Sequence, residues 1–74
     1  MTVQELNTVF GKNVKRYRKQ KYRFGRRLAE ALGVSEAMTS QYENGHRFPT
    51  TKSLVMLAHV LGVEVWQLFY TKEN

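Results

Sequence analysis

Glu36, Ala37, Ser40 and Gln41 are the residues of this chain with the most to offer a partner. On an α-helix, at about 100° per residue, all four fall within an arc of about 140°. They present a carboxylate, a methyl, a hydroxyl and a primary amide. Such a set hydrogen-bonds and matches shape; it does not cleave or transfer. The rest of the chain supplies no catalytic apparatus. It has no cysteine, hence no thiol nucleophile, disulfide framework or zinc-thiolate site. His46 and His59 each stand without a second ligand at metal spacing. No Ser-His-Asp set, carboxylate pair or phosphate-cradling glycine loop is visible. The sequence reads as a binding protein and not an enzyme, with no cofactor, metal or small-molecule ligand implied.

A polar helix side is by default a solvated one, but the charge distribution argues for more. Nine of the 12 lysines and arginines lie in the first 27 residues, against Glu5 alone, and the overall net charge is +6. They are Lys12, Lys15, Arg16, Arg18, Lys19, Lys21, Arg23, Arg26 and Arg27. A basic block on a nearly neutral body points to a polyanionic partner, nucleic acid foremost. The plain alternative is a solvated face that aids solubility.

The 74 residues, 42% of them hydrophobic, suffice for one domain with a single core. A domain this small buries only about 60% of the surface its unfolded chain exposes, so modest stability is expected. The N-terminus "MTVQELNTVF" has no early basic residues and does not read as a secretory signal. The most apolar run, "LVMLAHVLGVEVW", is interrupted by His59 and Glu64 and is too short to span a bilayer.

The elements that must position the four residues follow from periodicity and caps. Leu6, Phe10, Val14 and Tyr17 form one apolar stripe on a first helix from about residue 3 to 20. Gly11 inside it costs roughly 1 kcal/mol relative to alanine, so the helix is expected to begin late and fray early. Leu28, Ala29 and Leu32 give a second helix, about 25–32, stopped by Gly33. Ser35 caps a third, about 36–43, which Asn44-Gly45 ends. Thr50 caps a fourth, about 51–61, stopped by Gly62. "VEVWQLFY" reads as a short fifth helix, its valines leaving a strand possible. With no hairpin signal, the chain is expected to be all-α: one domain over 1–74, with a core of about 10–69.

In the third helix Met38 and Tyr42 share a core-facing side opposite Glu36, Ala37, Ser40 and Gln41, with Thr39 at its edge. The second and third helices are joined by "GVS", a turn that makes a helix-turn-helix over about 25–43. In that arrangement the second helix of the pair enters the DNA major groove. Gln41 can then pair with adenine, Ser40 with either kind of group, and the Ala37 methyl with a thymine methyl. Glu36 can accept from cytosine, or repel phosphate and sharpen selectivity.

"LAEALGVS", "SQYENG" followed by Pro49, "LAHVLGV" and the final "LF" together resemble the phage-repressor (Cro/Xre-type) helix-turn-helix family, from about Phe10 to Phe69. The resemblance implies a compact five-helix domain and binding to operator DNA, usually as a homodimer on a partly palindromic site. Such a protein works in the cytoplasm of a prokaryotic cell or phage-infected host. Glu36, Ala37 and Gln41 match the family's base-facing positions, with Ser40 beside them. Asn44 matches a phosphate-contacting position. Arg18 and Glu43 match a structural pair that bridges the first helix to the end of the third, worth little if exposed.

Two departures from the family stand out. The family commonly has an apolar residue where Thr39 stands. Thr39 is expected at the core's edge with its hydroxyl bonded back to the helix, the alternative being a side chain pointing into the groove. The second departure is "YRFGRR". Where the family has a polar cap, a glutamine and acids, this chain has Phe24, Gly25, Arg26 and Arg27. Arginines at a helix N-terminus are disfavoured by roughly some tenths of a kcal/mol, unless an anion is bound there. Gly25 N–H with Arg23, Arg26 and Arg27 is therefore expected to grip the DNA backbone, against the alternative of drift on a tolerant surface. By their place in the loop after the third helix, His46 and Arg47 join the phosphate contacts.

Trp66 occupies a position that is usually polar in the family. With Phe69 and Tyr70 it is assigned to a dimer interface through the last helix and the C-terminal tail. Core packing is the simpler reading for Phe69. A protein-interaction module of the antitoxin or anti-repressor kind is the competing function, since fold alone does not decide it. The chain shows no extra segment for a toxin or sensor, which favours a stand-alone DNA binder. Few exposed stacking aromatics beside the basic face argue against RNA.

Overall fold

The computed structural model describes residues 1–71, in four α-helices and one 3-10 helix, with no strand among the described residues. The helices are α1 (Val3–Lys21), α2 (Gly25–Leu32), α3 (Glu36–Glu43) and α4 (Thr51–Leu61), followed by a 3-10 helix at Val65–Phe69. None of these helices is long and apolar enough to cross a membrane.

Local chemistry explains each boundary. Thr2 and Glu5 form a capping box at the start of α1. The Glu5 N–H donates to Thr2 Oγ1 at 3.1 Å and the Thr2 N–H to Glu5 Oε1 at 2.7 Å. Hydrogen bonding to the Glu5 carboxyl, from the Thr2 N–H first and the Thr2 side chain second, holds it below its ordinary pKa. Ser35 and Thr50 cap α3 and α4 by accepting from the N–H of Met38 and Ser53. At the end of α3, Gly45 takes φ +75°, and the His46 and Gly45 N–H groups donate to Gln41 O and Tyr42 O. The same pair of bonds closes α2 at Gly33 and α4 at Gly62.

The core is built from Phe10 and Val14 of α1, Leu28 of α2, Tyr42 of α3, Leu57, Ala58 and Leu61 of α4, and Leu68 of the 3-10 helix. Phe10 lies at its centre, with ring centroids 4.9 Å from Phe48, 5.7 Å from Phe69 and 6.5 Å from Tyr42. These contacts draw the last segment and the loop after α3 onto α1.

Two expectations from the sequence need correction here. The helix α1 neither begins late nor lacks its first turns. Gly11 is buried, and a Cβ built on it would lie 2.6 Å from both Tyr42 O and Glu43 O. The glycine lets α1 close onto the C-terminal turn of α3, and the capping box supports the turns before it. The expected fifth α-helix is instead a 3-10 turn. Five residues are too few to recover the cost of α-helix nucleation, and i→i+3 bonding uses so short a segment better. Its end is tied down from elsewhere: Asn13 Nδ2 donates to Leu68 O at 3.0 Å and to Tyr70 O at 2.9 Å.

Candidate nucleic-acid interface

The side of α3 turned away from the core is built by what lies on its other side. Tyr42 is buried and Met38 packs against the core cluster. Thr39 is the most deeply buried residue of α3, at 1% exposure. Its hydroxyl donates to Glu36 O at 2.8 Å, which satisfies the polar atom inside the helix. Thr39 therefore does not point into a groove. It sits under the start of α2, where a Cβ on Gly25 would come within 3.9 Å of Thr39 Oγ1.

Glu36, Ala37, Ser40 and Gln41 are all exposed, and Asn44 continues their row one turn on. Asn44 Nδ2 donates to Ser40 Oγ at 3.3 Å, so the two side chains are pre-positioned together. The ion pairs among the described residues are Arg18–Glu43 and Arg27–Glu30, which leaves the Glu36 carboxylate unpaired.

Cations flank both ends of this row. Arg23, Arg26 and Arg27 are exposed around the start of α2, next to the N-terminus of α3. No side chain caps α2. The Arg27 N–H donates to Phe24 O at 3.0 Å, and the Arg27 side chain reaches Glu30 at 3.4 Å on the surface. Phe24, Arg26 and Glu36 together line a shallow notch of about 250 Å³. His46 and Arg47, also exposed, follow the other end of α3. Gln4 Nε2 donates to Gly45 O at 3.5 Å and so ties this loop to α1. The eight residues of α3, about 12 Å of helix, separate the two groups.

Arg18 and Glu43 stand behind the surface. Their paired groups are about nine-tenths buried, and Arg18 Nη1 also donates to Arg23 O at 2.8 Å. The pair is not the exposed contact whose small value was allowed for, and it fixes the α1–α2 loop relative to the end of α3. Asn13 and Gly11 are positioning residues that periodicity passed over. Each stands beside the apolar stripe of α1, and a polar or side-chainless residue in that place is the signal that was available.

Phe69, half-buried, packs its ring on Phe10 and Phe48, in keeping with the core-packing reading offered beside the interface one. Trp66 and Tyr70 face outward, at 62% and 50% exposure, with ring centroids 6.1 Å apart. They line a groove with Arg16, Tyr17 and Gln20 of α1. The tail assigned to the same interface lies from residue 72 onward, outside the described residues.

The profile of the family described as helix-turn-helix matches residues 14–65. A curated relative, the uncharacterized HTH-type transcriptional regulator YqaE of Bacillus subtilis (strain 168), is 32% identical over 66 residues. The match covers 89% of this chain and 57% of that protein, so the chain spans little more than half its relative's length. Among solved structures, the chain is similar to the restriction-modification controller protein C.AhdI from Aeromonas hydrophila, with 25% identity and a TM-score of 0.78 over 85% of this chain and 96% of that one. It is similar to the clp gene regulator ClgR from C. glutamicum, with 30% identity and a TM-score of 0.76 over 85% and 82%. A hypothetical transcription factor, NHTF, from Neisseria shares the fold, with 24% identity and a TM-score of 0.84 over 97% and 83%.

Proposed function

The chain belongs to the Cro/Xre-type helix-turn-helix family, and from that premise we propose that it is a transcription regulator that binds double-stranded DNA sequence-specifically. One observation carries the reading: an outward row of hydrogen-bonding side chains on α3, flanked at both ends by exposed cations. A helix about 10–12 Å across fits a major groove about 12 Å wide. Gln41, Ser40, Ala37 and Glu36 then meet base edges. Arg23, Arg26, Arg27 and Gly25 N–H hold phosphates beside the start of α3, and Asn44, His46 and Arg47 hold those beside its end.

The protein acts as a repressor and as a homodimer on a partly palindromic operator, in the cytoplasm. The exposed pair Trp66 and Tyr70 supports the dimer, because large aromatics are enriched at interfaces. Two recognition helices then reach half-sites about one DNA turn, roughly 34 Å, apart.

Selection of bound sites from random duplexes tests the reading. Enrichment of one site made of two related half-sites is the expected result. Recovery of random sequence, with no gain over non-specific binding, would overturn it. With the selected duplex in hand, Gln41→Ala relaxes discrimination at one base pair by about 1–3 kcal/mol and leaves the salt dependence unchanged.

A further inference from the structure

Phe24 is the part of the FGRR segment that phosphate binding does not use. The ring is 55% exposed, yet its backbone is held on both sides. Its carbonyl accepts from the Arg27 N–H at 3.0 Å, and the carbonyl before it, of Arg23, accepts from Arg18 at 2.8 Å. The Arg23 guanidinium lies over the ring, 5.3 Å from its centroid. A loop so tied loses little freedom on binding, so a contact made by this ring is not spent on ordering it.

The notch that Phe24 shares with Arg26 and Glu36 combines three chemistries: a guanidinium, a carboxylate unpaired among the described residues, and an apolar ring. The major-groove side of a duplex offers a complement to each. Phosphate suits Arg26, the cytosine N4 amine suits Glu36, and the only apolar group on a base edge there, the thymine 5-methyl, suits Phe24. The basic block of residues 1–27 makes a duplex the fitting occupant. Resting on the duplex-binding reading above, we infer that Phe24 is a specificity-determining residue whose ring packs on a thymine methyl beside the base pair met by Glu36. The recognition surface thus extends past α3 onto the residue before α2.

Deoxyuridine tests this, because it removes the methyl and nothing else. In the duplex selected by the unaltered protein, each thymine is replaced in turn. At one position per half-site the replacement weakens binding about fourfold, the value of one buried methyl. Phe24→Ala binds the thymine duplex weaker by at least that factor and no longer distinguishes thymine from uracil at that position. Phe24→Leu keeps part of the discrimination, and Ala37→Gly keeps it there in full. Far-UV circular dichroism melts confirm that both Phe24 variants are folded. The inference is overturned if Phe24→Ala distinguishes thymine from uracil as before at every position. It is also overturned if the variant loses affinity while every deoxyuridine duplex binds like its parent, which is contact with the sugar–phosphate backbone or a loop effect. Failure of the unaltered protein to select any site would sink the duplex reading itself, a result distinct from either.

Discussion

Arg18 and Glu43, 25 residues apart in sequence, meet as a two-point pair: Nε to Oε2 at 2.8 Å and Nη2 to Oε1 at 3.1 Å. The remaining Arg18 nitrogen is bonded to Arg23 O at 2.8 Å. One guanidinium thereby joins α1, the end of α3 and the loop that carries Arg23 and Phe24. Removing one partner leaves a buried charge without compensation. Arg18→Ala is expected to lower the unfolding free energy by about 3 kcal/mol in urea titrations. Replacing both residues by apolar ones of similar size costs much less than the two single changes together. A single-variant loss below about 1 kcal/mol would show that the pair behaves like an exposed contact.

Gly11→Ala gives propensity and packing opposite signs. Alanine is worth about 1 kcal/mol more than glycine inside a helix. At this position its Cβ meets two backbone carbonyls at 2.6 Å, and backbone cannot swing aside. The variant is expected to be destabilised by about 1–3 kcal/mol net. A raised melting temperature would mean that α1 and α3 can part without loss.

Arg26→Glu with Arg27→Glu is expected to weaken binding to all duplexes alike. Loss of two phosphate contacts flattens the slope of log affinity against log salt by about 2. Fluorescence anisotropy between low and moderate salt reads this directly. An unchanged slope would return these arginines to the role of a solvated surface.

Trp66→Ala is expected to weaken self-association, seen in sedimentation, while the melting temperature of the folded chain hardly moves, because the ring is exposed. Phe69→Ala does the reverse: it lowers the melting temperature through lost contact with Phe10 and Phe48. An unaltered protein that is monomeric both free and on DNA would exclude the dimer.

The capping box sets a pH dependence. The folded-state pKa of Glu5 lies below its unfolded value, so the unfolded chain binds the proton more readily. The stabilisation is present above the ordinary glutamate range and is lost as pH falls through the lowered value. Thr2→Ala removes the side-chain hydrogen bond but keeps the N–H of residue 2, so a side-chain carboxyl titration by NMR should move Glu5 only part of the way back up toward the ordinary value.

What the sequence by itself determined is what neighbours along the chain decide. Ser35 and Thr50 each reach an N–H three residues on, and the glycines at 33, 45 and 62 supply the left-handed turn their helices need. The bounds of α2, α3 and α4 were therefore legible, and so was the polar side of α3, since helical period alone separates Gln41 from Tyr42. Position along the chain also showed the basic block.

The tertiary structure decided everything that depends on how close two segments come. Gly11 reads as a weakness until the carbonyls of Tyr42 and Glu43 are seen where its side chain would be. Thr39 reads as an edge residue until α2 covers it, and between core and interface Phe69 is left open until its ring is seen against Phe10 and Phe48. The last segment is tied onto α1 by Asn13, 55 and 57 residues away, which takes the carbonyls of Leu68 and Tyr70. Phe24 looks like a faulty helix cap in the sequence. It becomes one wall of a notch beside Glu36 only when Arg18 ties down its loop and α2 meets α3. Hydrogen bonds three or four residues long can be read along a chain, but van der Waals contact across the fold depends on the whole set of packing solutions at once.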